Sequence, residues 1–161
     1  MVPRDFTDVA SGVLDLECDQ QARLRTAVGR AYYAVYLAGR AAIAHFSVYV
    51  SSNADSHEEV ASVLSSSTDR EIRALGDMLG KLRRRRNDAD YVLYPSSHPE
   101  TDDSVEATVL GAYIAIETLD TLILSHGPAA EARRHVMASE SPRNLANARI
   151  RIAERRKRPG P

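Results

Sequence analysis

Apolar side chains recur along this sequence every three or four residues, which is the spacing of one helix face. The pattern predicts five helices, over residues 4–17, 20–46, 57–65, 69–90 and 104–125. On the first of them, one side carries Phe6, Val9, Val13 and Leu16. No sustained alternation of apolar and polar positions, the mark of a half-buried strand, argues for a sheet. We therefore expect an all-α fold, an antiparallel bundle of four or five helices.

The second predicted helix is the longest, and its composition indicates that other elements contact it on two sides. Small residues crowd one face, and these let a neighbouring helix approach closely. They include Ala27, Ala31, Ala38, Gly39 and Ala42. Around the other side stand Tyr32, Tyr33, Tyr36 and Arg40. We expect this helix to be the centre of the bundle.

Three short motifs predict where the later helices begin. Ser56 and Thr68 each stand three residues before a glutamate, which is the spacing of a capping box. Asp103 stands three residues before Glu106 as the acidic analogue. These motifs place the starts of the third, fourth and fifth helices.

The helical pattern ends at Gly127 and Pro128, which divide the chain into two parts. Residues 1–126 make up the predicted bundle and residues 127–161 a basic tail. The overall charge of −1 conceals an asymmetry, because the bundle holds 12 Lys/Arg against 19 Asp/Glu and the tail holds 9 against 3. Such a tail touches the acidic bundle or binds an anionic partner.

Part of the tail has the sequence of a helix. Ser141 and Pro142 form a favourable helix start, and Leu145, Ala148 and Ile152 follow as a thin apolar stripe. Seven basic residues surround the stripe. A basic helix of this kind suits phosphates or an acidic protein face. A poorly ordered, solubilising tail is the alternative.

The remaining composition suggests a cytoplasmic protein without metal or cofactor. The best apolar run, residues 109–116, is too short to cross a membrane, and the N-terminal residues lack an apolar signal region. Cys18 is the only cysteine, which permits neither an internal disulfide nor a cysteine-based metal site. The five histidines have no metal-ligand spacing, and there is no glycine-rich phosphate loop.

The most unusual stretch lies in the fourth predicted helix, where the apolar stripe leads to an arginine. Ile72, Leu75, Leu79 and Leu82 define the stripe. Continued by one turn, it reaches Arg86. A buried cation needs a partner, and Asp90 stands four residues further on, within reach on the same side. Arg83 and Arg84 are expected to point away, with Arg85 at the margin. A solvated basic turn near the helix end is the alternative reading.

Three motifs in order carry a family resemblance. They are Arg30-Ala31-Tyr32-Tyr33-Ala34-Val35-Tyr36, then Ser56-His57, then Arg86-Asn87-Asp88-Ala89-Asp90-Tyr91. Over about residues 5–126 the chain resembles the HEPN domain superfamily. Its closest likeness is to the small branch with an Arg…Ala-Asp-Tyr signature. The resemblance implies a helical bundle that forms a homodimer, with the arginine motifs of two protomers facing one cleft.

Active members of this superfamily are metal-independent ribonucleases, often toxins of toxin–antitoxin or defence systems. They carry an arginine, a polar residue that is often asparagine, and a histidine after four intervening residues. Carried over by position, these are Arg86 and Asn87, with Tyr91 where the histidine would stand. Imidazole exchanges protons near neutral pH, whereas a phenol ordinarily titrates near 10. Tyr91 is therefore a weak replacement, and it would otherwise serve as a packing residue.

The residues of the candidate site follow from the motif and the resemblance. The candidate catalytic residues are Arg86, Asn87, Tyr91 and His57, and the candidate binding residues are Arg83, Arg85, Asp90, Arg30 and Tyr33. His57 can supply the missing imidazole only if the fold brings it to the cleft. Otherwise it is an ordinary residue at a helix start.

Two functions remain open. The first is a metal-independent ribonuclease that acts as an effector or toxin, with Arg86 holding a phosphate. The second is a catalytically inactive binding module that holds RNA, a nucleotide or a partner nucleotidyltransferase. A homodimer, an RNA and a nucleotidyltransferase or antitoxin are the expected partners.

Overall fold

The computed structural model describes residues 2–92, 100–125 and 150. Five helices make up almost all of this part of the chain: α1 (Pro3–Val13), α2 (Gln20–His45), α3 (Ser56–Ser65), α4 (Arg70–Tyr91) and α5 (Asp102–Ser125). No strand occurs among the described residues. The all-α prediction is confirmed. The predicted tail, apart from Ile150, and the connection over residues 93–99 lie outside the described residues.

The central helix is α2, as its composition predicted. It packs against each of the other four helices, and its largest fully buried side chains are Leu24, Val28, Tyr32 and Val35. A Cβ added at Gly39 would lie 3.1 Å from Leu64 of α3. Small side chains on α2 therefore do permit the close helix approach that the sequence indicated.

Contacts far apart in the sequence give the helix directions. Arg4 near the start of α1 pairs with Asp120 near the end of α5 at 3.0 Å. Tyr113 donates a hydrogen bond of 2.6 Å to Asp8. Asp8 lies later in α1 than Arg4, and Tyr113 lies earlier in α5 than Asp120. These two helices are therefore antiparallel. Because residues 14–19 turn the chain back from α1 into α2, α2 and α5 run in the same direction.

The apolar stripe predicted on α1 does lie on one side, but much of it faces solvent. Val9 is 49% exposed and Leu16, which follows the helix, is 54% exposed. The side packed against the bundle carries the small residues Thr7, Ala10 and Ser11, all of which are buried. α1 therefore approaches its neighbours through small side chains and leaves aliphatic ones outside.

Both capping-box predictions were wrong by one residue. Asp55 and Asp69 are the N-cap residues of α3 and α4, and the Asp69 carboxylate accepts hydrogen bonds from the N–H groups of residues 71 and 72. Ser56 is buried inside the first turn of α3, where it bonds to Tyr36 at 2.8 Å. The predicted partner Glu59 instead accepts from the N–H of Ser51. The fifth helix begins at residue 102, slightly before the Asp103 motif.

Among the described helices, α5 is long and apolar enough, by length and composition, to meet the requirements of a membrane span. A core helix of a water-soluble protein meets them as well. One side of α5 carries Val105, Val109, Ala112, Ile116 and Leu119, all buried against the bundle. This side of α5 packs as part of the bundle core.

Candidate functional site around Arg86

Arg86 continues the buried stripe of α4, as the helical spacing predicted. Leu75, Leu79 and Leu82 precede it and are buried. The Arg86 side chain is 19% exposed, so the guanidinium lies mostly within the protein surface. A cation in this position needs compensating groups nearby.

Asp90 provides the compensating charge. Arg86 Nε lies 2.7 Å from Asp90 Oδ2, an ion pair between residues one helical turn apart. The two groups form an ion pair, but the N–H of Arg86 Nε does not point at the carboxylate as it would in a hydrogen bond. The predicted pair is therefore present.

Polar and aromatic groups surround the rest of the guanidinium. Arg86 Nη2 donates to Tyr33 Oη at 3.1 Å, and Nη1 donates to Asn87 Oδ1 at 3.1 Å and to Tyr91 Oη at 3.4 Å. The guanidinium carbon also lies 5.5 Å and 5.2 Å from the ring centres of Tyr33 and Tyr91, within cation–π range. The site therefore joins α4 to α2 through one cation, which we call the Arg86 cluster: Arg86, Asn87, Asp90, Tyr91 and Tyr33.

The balance of these contacts raises the pKa of Arg86. Burial on its own lowers that pKa, but the hydrogen bond with Tyr91 and the charge of Asp90 outweigh it. Arg86 is thus a permanent cation. Its neighbours Asn87, Asp90 and Tyr91 are exposed, and Tyr91 is the most open at 71%.

The fold brings His57 to the edge of this cluster, which the sequence left open. Its ring centre lies 6.2 Å from that of Tyr33, the residue that bonds to Arg86. His57 Nδ1 forms a 2.6 Å hydrogen bond with Tyr32 Oη, and its ring is 4.1 Å from that of Tyr36. No hydrogen bond of His57 Nε2 occurs in the described part of the chain.

The surroundings of His57 favour its neutral form. Burial lowers the pKa of His57, and the positive charges of Arg83, Arg86 and Arg40 lower it further. Burial also raises the pKa of Tyr32 to about 12, so this phenol keeps its proton. Whichever tautomer the Tyr32 contact selects, Nε2 is the ring nitrogen left for another ligand.

Arg83 and Arg84 differ in their surroundings, although both were expected to point away from the stripe. Arg83 forms a 3.0 Å ion pair with Glu58 of α3, whereas Arg84 is exposed. Both residues, together with Asn87, line one end of a groove of about 530 Å³ between α3 and α4. The groove therefore opens beside the Arg86 cluster.

The other two arginines proposed as binding residues lie outside the cluster. Arg85 Nε donates to Glu100 at 3.0 Å, and Nη2 donates to Ser104 at 2.6 Å and also to Glu100. Arg85 thus anchors the start of α5 to α4. Arg30 is exposed on α2, one turn before Tyr33 and on the same side. It can reach a ligand at the cluster without being part of it.

One residue that positions the cluster was not anticipated from the sequence. Arg25 of α2 donates to the backbone oxygens of Ala89 at 2.5 Å, Asp88 at 3.3 Å and Val92 at 2.6 Å. The last carbonyls of a helix have no partner within the helix, and a cation there also suits the helix dipole. Arg25 therefore fixes the end of α4 that carries Tyr91.

No three His, Cys, Asp or Glu side chains in the described ranges are arranged to hold a metal ion. Comparison of the chain with models of protein families, with curated proteins and with solved structures found no match. The interpretation of the Arg86 cluster therefore rests on its motifs and its geometry.

Proposed function

We propose that this chain is an RNA-interacting protein of the HEPN type that cleaves RNA without a metal ion. The observation that supports this most strongly is the convergence of three helices. Arg86 of α4 bonds to Tyr33 of α2, and the Tyr33 ring contacts His57 of α3. A permanent cation and a neutral imidazole are the groups that metal-free phosphoryl transfer uses. Metal independence itself is an implication of the resemblance.

In this proposal Arg86 holds the phosphate that is attacked. A guanidinium matches two phosphate oxygens with parallel N–H donors. Its Nη1 partners, Asn87 and Tyr91, are exposed, so a phosphate can replace them without opening the core. Asp90 and Tyr33 keep the guanidinium in place during this exchange.

His57 supplies the proton transfer. In the tautomer with the hydrogen on Nδ1, which then donates to Tyr32 Oη, Nε2 takes the proton of the ribose 2′-hydroxyl, and the 2′-oxygen bonds to the neighbouring phosphorus. The bond from phosphorus to the 5′-oxygen breaks, and that oxygen receives a proton from Tyr91 or from the His57 imidazolium. The products are a 2′,3′-cyclic phosphate and a 5′-hydroxyl end. A general acid–base of this kind contributes a factor of about 10²–10⁴ in rate.

A non-cleaving binding module is the second candidate. Two observations favour it. Tyr91 stands where nuclease members of the resembled family carry histidine, and the Arg86 charge is already compensated by Asp90. Such a module would hold RNA, a nucleotide or a partner nucleotidyltransferase at the same cluster, with no bond broken.

The biological setting follows from the resemblance. The protein acts in the cytoplasm as a toxin or defence effector, and an antitoxin or nucleotidyltransferase restrains it. Two copies form a homodimer in which both Arg86 clusters face one cleft. Light scattering at micromolar concentration tests this part, and a monomer would contradict the shared cleft.

RNA cleavage in EDTA is the decisive test of the function. Purified wild-type protein and four variants, Arg86→Ala, His57→Gln, Tyr91→Phe and Arg84→Ala, are incubated with a mixed RNA substrate. We expect wild type and Arg84→Ala to cleave, and Arg86→Ala and His57→Gln to lose at least about 100-fold in rate. Arg84 is the matched control, because it is an exposed arginine on the same helix. The Tyr91→Phe rate reports whether the phenol transfers a proton.

RNA binding, measured on the same variants, separates the two candidates. No cleavage by wild type, with binding that depends on Arg86 and weakens as salt rises, identifies the binding module. If the wild type neither cleaves RNA nor binds it in a way that depends on Arg86, an RNA site at this cluster is refuted.

A further inference from the structure

The exposed side of α1 is an apolar surface that the bundle leaves uncovered. We call it the α1 stripe, and it consists of Val2, Phe6, Val9, Val13 and Leu16, of which Phe6 and Val13 are half-buried and the other three are exposed. Val2 is 59% exposed, Val9 49% and Leu16 54%. Within the helix, Phe6, Val9 and Val13 are spaced three and four apart, which is the pattern of a helix seam that receives a second helix, and Val2 and Leu16 flank them at the two ends. A contiguous exposed stripe of this kind marks an interaction surface.

The surroundings of the α1 stripe are acidic. Residues 1–19 hold one arginine against five Asp/Glu, a net charge of −4. The arginine, Arg4, is engaged by Asp120 of α5. Asp5, Asp15 and Glu17 are exposed around the stripe. Its occupant should therefore be apolar on one side and basic around it. A second α1 stripe or an anionic membrane would meet like charge here.

One segment of the same chain has this composition. Residues 141–158 carry seven Lys/Arg against one Glu, a net charge of +6, around the thin stripe of Leu145, Ala148 and Ile152. These three are spaced three and four apart, the complement of the pattern on α1. Ile150 is not on that stripe, and it is exposed.

The chain also leaves the bundle at the right place. Asp120 of α5 pairs with Arg4 at the start of α1, so the end of α5 at Ser125 lies near one end of the α1 stripe. Fifteen residues separate Ser125 from Ser141, and an extended chain of that length spans up to about 50 Å. α1 has 11 residues and is therefore only about 16 Å long. The connection is long enough for the tail to lie in either direction.

We propose that residues 141–158 fold as a basic amphipathic helix that covers the α1 stripe of their own chain. The contact combines burial of the two apolar stripes with opposite charge around them. Phe6 lies within the stripe, and its ring centre is 6.2 Å from that of Tyr33. The docked helix would therefore border the Arg86 cluster. This proposal does not depend on whether the cluster cleaves RNA.

The single cysteine provides a direct test in the full-length protein. Cys18 is exposed and lies two residues beyond Leu16, at the end of the α1 stripe. A nitroxide attached there weakens the NMR signals of nearby amides in ¹⁵N-labelled protein. We expect at least a twofold loss of signal for amides within residues 141–152, compared with the reduced label. The loss should disappear in Val9→Asp and in Leu145→Asp, and it should decrease in high salt.

Two controls keep the result interpretable. Val48→Asp introduces the same charge at a valine of matched exposure, 46%, beyond the end of α2, and it should leave the effect unchanged. Leu145→Asp alters the tail alone, so an effect on folding of the bundle is not involved. If the label weakens the amide signals at the start of α2, which adjoins Cys18, but leaves the tail amides unaffected, the proposal is overturned. Signal loss seen only between nitroxide-bearing and ¹⁵N-labelled molecules would assign the tail to a second copy and overturn it as well.

Discussion

Replacing Gly76 with alanine should force α3 and α4 apart. The two helices approach closely here, where α4 passes the end of α3. A Cβ at position 76 would collide with the backbone nitrogen of Ser65, and it would lie 2.5 Å from Ser65 Oγ and 2.8 Å from the carbonyl carbon of Leu64. The Ser65 hydroxyl can rotate away, but the backbone of Leu64 cannot. One helix must therefore move, and α3 carries His57.

A second glycine on α4 supplies a matched control. Nothing lies within 4 Å of a Cβ built at Gly80, one turn further along. Gly80→Ala should stabilise the protein by about 0.5–1 kcal/mol, because alanine loses less conformational entropy in a helix. Gly76→Ala gains the same helix preference but overpacks the contact, at a cost of about 1–3 kcal/mol or more. The two variants should therefore differ by about 1–3 kcal/mol in free energy of unfolding.

Urea denaturation followed by circular dichroism measures this difference, and thermal melting provides a check, since 1 kcal/mol corresponds to about 2–4 °C in a protein of this size. If the protein cleaves RNA, Gly76→Ala should also lose activity at temperatures where it remains folded, because His57 moves relative to Arg86. Equal stability of the two variants would refute the close approach of α3 to α4.

Three further predictions concern single side chains. Replacing Arg25 with alanine removes three hydrogen bonds to the end of α4 and should destabilise the protein by about 1–3 kcal/mol, with faster amide hydrogen exchange near Tyr91. Arg85→Ala should destabilise the contact between α4 and α5 by about 1–3 kcal/mol in urea, because it leaves Glu100 without its partner, but it should not alter RNA binding. In the wild type, the pKa of His57 is lower in the folded protein than in the unfolded chain. As the pH falls, the unfolded chain therefore binds a proton at His57 before the folded protein does. Stability should therefore fall as the pH drops below about 6.5, and less so in His57→Gln, when both are unfolded in urea between pH 7.5 and 5.

The sequence was sufficient for the parts of the fold that follow from helical spacing. The stripe of Leu75, Leu79 and Leu82 predicted that Arg86 lies on the packed side and that Asp90 is its partner, and both are present in the structure. These inferences involve residues within one helix, where a period of 3.6 residues fixes which side chains are neighbours. The central position of α2 was equally accessible, because its small residues indicated close helix contacts.

α1 shows why the same reasoning has a limit. Spacing identifies which residues share a side of a helix, but not which side packs. The aliphatic side of α1 was the natural choice for the core, yet Thr7, Ala10 and Ser11 occupy that position. Small side chains allow α1 to lie close to α2 and α5, and this depends on the space that those helices leave. Contacts between distant segments, such as those of His57 with Tyr32 and Tyr36, escape sequence spacing for the same reason.

The arrangement around Arg86 also indicates how a ligand would be selected. Asp90, which is itself exposed, and Tyr33 hold the guanidinium, and removing either would leave a poorly compensated cation at a largely buried site. Asn87 and Tyr91 are exposed and do not pack into the core. Under the proposed function, a ligand would replace only the contacts that Asn87 and Tyr91 make with Arg86. Because Asp90 already neutralises the cation, a single carboxylate would gain little, whereas a phosphate in a polyanion would gain additional attraction from Arg30 and Arg83 nearby. Under the proposed function, the cluster would therefore favour an extended phosphate backbone over a small monoanion.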